Sequence, residues 1–270
     1  MTLMNTVSYR NATGAELRAA IRAGQFEGPT AGQALGYTQA NLVILPQAVA
    51  AEFAEFCRLN AQACPLLWQT APGDPEAKAV AAGSDLRTDV PRYRVFRQGV
   101  RIEDEVKEVL ELWRNDFVGF LLGCSFTFET ALLKAGLGVR HIEQGVNVPM
   151  FRTLLPCQTV GRFSGPLVVS MRPYRPEQVD EVVAVTARYP TMHGAPVQIG
   201  EPERLGIHNL NRPDFGDAVT LRPGEVPVFW ACGVTPQLAL AEARPELAIT
   251  HSPGCMFVTD LRDDQFEQPG

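Results

Sequence analysis

An α/β protein of mixed sheets flanked by helices, built as two lobes with the site between them, is what the sequence predicts, and three observations predict it. Short apolar runs recur along the chain, each followed by residues at helical spacing, which is a strand-then-helix signature. The length of 270 residues and a hydrophobic share of 46% suffice for one large domain or two lobes with a true core. From Gly145 to Gly165 the pattern weakens under Pro149, Pro156 and Gly161. That stretch is the expected crossing between an N-terminal lobe, 1–150, and a C-terminal lobe, 151–270, with C-terminal segments free to contribute to the first. A single domain is the alternative.

The elements follow in order. Thr13 with Glu16 makes a capping box for a first helix that stops at Gly24. "NLVIL" (41–45) reads as a strand, and Pro46 starts a helix whose stripe is Val49, Phe53, Phe56 and Cys57. "CPLLW" (64–68) is a buried strand, followed by Gly-, Pro- and Asp-rich loops over 71–93, in which Asp85 and Asp89 are turn formers or site residues. "RVF" (94–96) is a short strand before an expected acidic helix from Glu103 to Trp113. "FVGFLLGC" (117–124) is a strand leading into a helix that closes near Gly136. Beyond the crossing come a strand at 166–173, a helix at 176–190 and a short strand at 195–200. "VPVFWAC" (226–232) precedes a helix opened by Pro236, and "LAIT" (247–250), a turn and "CMFVTD" (255–260) complete the set.

Composition removes several function classes. A net charge of −6, without a run of Lys or Arg, argues against a nucleic-acid partner. The longest apolar run, Phe117 to Phe128, is too short to cross a bilayer, and no secretory signal is readable, so a cytoplasmic location without membrane contact is the expectation. Six cysteines lack CxxC pairs and read as reduced thiols. The four histidines show no HxH, HxxxH or HExxH spacing, so no metal is expected; without a Walker A or GxGxxG motif, no cofactor is expected either. Homo-oligomerisation stays open, since no heptad pattern stands out.

Several expected strands end in small or reactive residues: Gly123-Cys124-Ser125, Ser170-Met171-Arg172, Ala231-Cys232-Gly233 and Thr250-His251, with Cys255 shortly after. If the strands run parallel, these ends share one edge, where open α/β sheets bind ligands. Gly233 then lets a ligand approach the backbone, while Thr235 and Gln237 offer uncharged donors at a helix N-terminus, as Ser125 and Thr127 do at another. The ligand that suits two such termini is a small carboxylate. His251 is the candidate general acid or base, with Glu129 or Asp260 as alternatives. Arg172 suits a bidentate grip on a carboxylate. Glu129, in the stretch FTFET beside Phe126 and Phe128, is expected to have a raised pKa unless it faces solvent. Cys124 is a nucleophile lowered in pKa by a helix N-terminus, or a core thiol. His193, Cys232 and Cys255 complete the expected lining.

The stretches GCSFTFE (123–129), SMRP (170–173), HGAPVQIG (193–200), PVFWACGVTPQ (227–237) and ITHSPGCMFVTD (249–260) resemble the motifs of a hydro-lyase family that includes D-glutamate cyclase. The likeness runs from about Ala15 to Asp260. It implies a lyase that eliminates water, with cyclisation of D-glutamate to 5-oxo-D-proline as the leading reaction. A hydratase or dehydratase of another small carboxylic acid and a non-catalytic carboxylate-binding protein are the alternatives.

Overall fold

The computed structural model describes residues 8–269. In chain order its elements are α1 (Gly14–Arg22), β1 (Tyr37–Pro46), α2 (Gln47–Leu59), β2 (Leu66–Gln69), β3 (Tyr93–Arg97), β4 (Val100–Val106), β5 (Phe117–Leu122), α3 (Phe126–Lys134), α4 (Arg140–Gln144), β6 (Met150–Pro156), β7 (Pro166–Tyr174), α5 (Val179–Ala187), β8 (Gln198–Ile199), β9 (Val226–Ala231), α6 (Thr235–Ala243), β10 (Leu247–His251) and β11 (Phe257–Arg262). The fold is mixed α/β with two sheets. The larger runs β2-β5-β1-β10-β3-β4, with β11 also pairing β1, and the smaller runs β6-β7-β9-β8. Because β10 and β11 return to β1, residues 247–262 belong to the sheet built mainly from the first half of the chain.

Every strand pairing among the described residues is antiparallel, which corrects the parallel-edge expectation. Strand ends therefore alternate between the two edges of each sheet, and what meets is decided by register. β1 is the central strand, buried along nine of its ten residues, and its continuous apolar run reflects cover on both faces. Val43 and Leu45 face a cluster with Ala231, Ala239 and Leu240 from the side of the smaller sheet. Leu42 and Ile44 face the opposite cluster, with Val90, Tyr93 and Ile249 beneath the 71–93 loops. On the smaller sheet, α3 and α5 pack Phe128, Leu132 and Val182 against Trp230.

Two element expectations change. The segment expected to be a helix from Glu103 to Trp113 is instead β4, followed by a single 3₁₀ turn at Leu110–Leu112. Gln98 and Gly99 both hold positive φ (48° and 76°), so a two-residue turn of the hairpin-forming kind closes β3 onto β4. That local pairing wins over helical spacing, and the acidic residues then lie on an exposed edge, where charge discourages further pairing. The expected crossing at 145–165 contains β6, an edge strand of the smaller sheet. The capping box of α1 forms as read: Glu16 N donates to Thr13 Oγ1, and the Glu16 carboxylate accepts from Thr13 N. Among the described residues no helix is long and apolar enough to cross a membrane.

Candidate active site

The register of β1 on β5 sets Asn41 opposite Leu122, so the start of β1 and the end of β5 share one edge. Asn41 Nδ2 donates to the Gly123 carbonyl at 2.9 Å. Gly233, just past β9, comes so close that a Cβ there would lie 2.4 Å from the same Nδ2. The β5–α3 and β9–α6 junctions thus meet across the two sheets, and close backbone approach rather than ligand access is what demands glycine at 233.

From this meeting point α3 carries Ser125 and Glu129 toward β7. Arg172, in β7 and 1% exposed, gives Nε to Glu129 Oε1 at 2.9 Å and Nη2 to the same oxygen. Its Nη1 donates to Ser170 Oγ and its Nη2 to Ser125 Oγ, each at 3.0 Å. The guanidinium is flanked by the rings of Phe128 and Trp230, 5.2 and 5.3 Å from their centres. Arg172 thereby directs its guanidinium to groups of the protein and presents no free fork to a carboxylate, contrary to expectation, and it fixes the position of Glu129.

His141, in α4, brings Nε2 to 3.5 Å from Glu129 Oε1. Its neighbour Arg140 pins α4 in place through Glu225 at 2.5 Å and the Thr220 carbonyl at 2.6 Å. Burial opposes ionisation of Glu129, but the Arg172 guanidinium and His141 beside it outweigh burial and hold the carboxyl at about 2. The expected upward shift is therefore reversed, because the flanking aromatics enclose an arginine as well as the acid.

Glu129 and His141 stand on the wall of a cavity of about 610 Å³, a size ordinary for small-ligand sites. The residues before β1, α3, α4 and the 253–254 turn enclose it, and Arg10, Gln39, Thr127 and Asp263 add to its polar lining. Gln39 Oε1, Thr127 Oγ1 and both ring nitrogens of His141 are buried without a formed hydrogen bond in the structure, Nε2 standing 3.5 Å from Glu129 Oε1.

The other expected site residues divide between this neighbourhood and elsewhere. Cys124 lies at the junction, but burial, with Glu129 and Cys232 nearby, pushes its thiol up to about 12, so the lowering expected at a helix N-terminus does not occur. Burial likewise raises Cys232 to about 11. His193, buried at φ 75°, has Nδ1 2.8 Å from the Gln62 carbonyl, and burial lowers it to about 4. Thr235 Oγ1 accepts from Val168 N at 3.0 Å and donates to the Val168 carbonyl at 3.4 Å, which ties α6 to β7 and engages the hydroxyl proton that an oxyanion would need. Gln237, in the first turn of α6, is not on the cavity wall.

His251 does not join the site. Ala248 faces the inter-sheet cluster and Ile249 the opposite one; by alternation His251 shares the far face with Ile249. Its Nδ1 accepts from Leu42 N at 3.1 Å. Cys255 packs in that same far cluster, and burial raises its thiol to about 11. Asp260 is bound by Arg18 at 3.0 Å, Asp89 by Arg22 and Asp85 by Arg87. Sequence reasoning singled out neither Asn41, Gln39 nor His141, and named Ser170 only as part of a strand end. No local signal marked His141, because its approach to Glu129 depends on where α4 packs, against β7.

A family model described as D-glutamate cyclase matches residues 118–260, more than half of the chain. The chain belongs to the D-glutamate cyclase family. The matched span holds Glu129, His141 and Arg172. A protein of Rubrobacter xylanophilus named "Putative hydro-lyase" is 61% identical over 253 residues, covering 94% of this chain and 97% of its own. Equivalently named proteins of Bacillus licheniformis and Stutzerimonas stutzeri are 58% and 55% identical, covering 93% and 97% of this chain and 95% and 98% of theirs. A crystal structure of a nitrogen repressor-like protein from Methanococcus jannaschii aligns over 90% of this chain and 97% of that one, at 10% identity and a TM-score of 0.34, too low to carry an argument.

Proposed function

We propose that this D-glutamate cyclase family member is a lyase that closes D-glutamate to 5-oxo-D-proline with release of water, and that the reaction takes place in the 610 Å³ cavity. The observation that carries the reading is the Glu129–His141 pair on the cavity wall, held from behind by Arg172.

Lactam formation joins the α-nitrogen to the γ-carboxyl carbon and breaks one C–O bond. The ammonium gives up two protons, and both leave with the departing oxygen as water, so nothing is oxidised or reduced. A base must therefore take a proton from nitrogen and an acid must return it to oxygen. His141 suits both roles: an Nε2–H facing ionised Glu129 leaves the Nδ1 lone pair for the substrate, and Glu129 stabilises the imidazolium that forms. Arg172 keeps Glu129 charged across the working pH range. Arg10 is the cation on the wall that a substrate carboxylate would meet.

The test is incubation with D-glutamate and chiral detection of 5-oxo-D-proline. Product is expected from the native chain, and His141→Asn should lower kcat more than about tenfold while the protein stays folded. Absence of product from the native chain overturns the reading, and unchanged kinetics in His141→Asn overturns the role given to that residue.

A further inference from the structure

The cavity wall carries one acceptor whose orientation is fixed and whose need is unmet. Gln39, 6% exposed, donates both hydrogens of Nε2 into the loop before β1, to the Thr30 carbonyl at 2.9 Å and the Gln33 carbonyl at 3.2 Å. Those two carbonyls decide which end of the amide is nitrogen, so Oε1 is an acceptor and cannot be exchanged by a flip. It is buried with no donor in the structure, and the hydroxyl of Thr127, also on the wall and buried without a formed hydrogen bond, has the Asp263 carboxylate beside it as an acceptor for its proton, which leaves its lone pairs for a donor. A buried acceptor left without a donor is costly, and a ligand that supplies N–H groups recovers that cost. The charge balance points the same way: with Glu129 already paired to Arg172, Asp263 and Asp217 line the cavity against Arg10, the one arginine or lysine on the wall among the described residues.

We infer that Gln39 Oε1 and Thr127 Oγ1 form an ammonium subsite, which selects a ligand bearing a primary amine beside its carboxylates over the same dicarboxylate without one. This rests on the reading of the cavity as the amino-dicarboxylate site. It adds the groups that recognise the amine. An ammonium that donates to a neutral amide oxygen and a hydroxyl keeps its third hydrogen for a base, so the subsite orients the amine without trapping its proton.

Binding of D-glutamate and of glutarate, which differ in the amino group, is measured by calorimetry in the His141→Asn background, where turnover is slow. D-glutamate should bind roughly tenfold to a hundredfold more tightly than glutarate. Gln39→Leu and, separately, Thr127→Val should each shrink that ratio by weakening D-glutamate while leaving glutarate nearly unchanged. Gln39→Leu also cuts two bonds to the 30–33 loop; Thr127→Val removes only a hydroxyl at nearly constant volume and is the arm that separates recognition from loop order. Ratios unchanged in both variants, equal weakening of both ligands in both variants, or no measurable binding of either ligand overturns the inference. If the native chain forms no 5-oxo-D-proline but the ratio exists and both variants collapse it, the subsite stands and the cyclase reading falls.

Discussion

Glu129 and Arg172 are each 3% exposed or less, and the two charges are tolerable there only because each satisfies the other, with Ser125 and Ser170 taking two more of the guanidinium's donors. Removing one partner leaves the other buried and unpaired, which costs about 3–5 kcal/mol in comparable cases. Glu129→Gln should accordingly lower the unfolding free energy by about 3 kcal/mol in urea titrations and abolish most turnover. Replacing Glu129 and Arg172 together by Gln and Met should recover much of the stability and none of the activity. A double variant as unstable as the single one would mean that the ion pair does not account for the cost. The same arithmetic separates Arg172 from substrate binding: its role runs through Glu129, so Arg172→Lys should depress kcat and alter the pH profile more than it raises KM.

At the scale of elements, the site depends on how closely two strand-to-helix junctions approach. Gly233 touches the Asn41 side chain, and Asn41 in turn holds the Gly123 carbonyl. A methyl group at 233 must displace that amide, so Gly233→Ala should cost about 1–3 kcal/mol of stability, in the range for overpacking. Adding Asn41→Gly should return part of that loss, a coupling that a double-mutant cycle reads directly; strict additivity would exclude the contact as the cause. This dependence also explains why the junction motifs were readable and their geometry was not. Small residues at 123–125 and 231–233 announced a tight place, but only the antiparallel register of β1 with β5, a long-range property, brings Asn41 there. Likewise the β3–β4 hairpin was hidden because Gln98-Gly99 is a weaker turn signal than Asn-Gly, while the acidic run after it mimics a helix start.

For the whole molecule, the class of fold and most elements were legible because apolar runs and helix starts are local, whereas strand direction is not. An antiparallel plan sends His251 to the far face of the larger sheet from the inter-sheet cluster, and that face gives it a different physical role. Burial lowers both His193 and His251 from 6.5 to about 4, and for His251 it outweighs the Leu42 carbonyl, 3.3 Å from Nδ1, which pulls the other way. The unfolded chain therefore binds protons more readily than the native one between these values. Each histidine contributes stability that is fully present above pH 6.5 and is lost as pH falls toward 4, at about 1.4 kcal/mol per pH unit. Glu129 works in a lower window, since its contribution is complete above 4.5 and disappears only as pH falls toward 2. Acid unfolding should thus begin with the histidines while the Glu129–Arg172 pair is still intact. In urea titrations from pH 7.5 to 4.5 the native protein should lose stability steadily below 6.5. His251→Asn, whose side-chain oxygen can accept from Leu42 N, should flatten that slope by about half with turnover within about twofold of the native value. An unchanged slope would remove His251 as an acid trigger, and a loss of turnover beyond tenfold would return it to the chemistry.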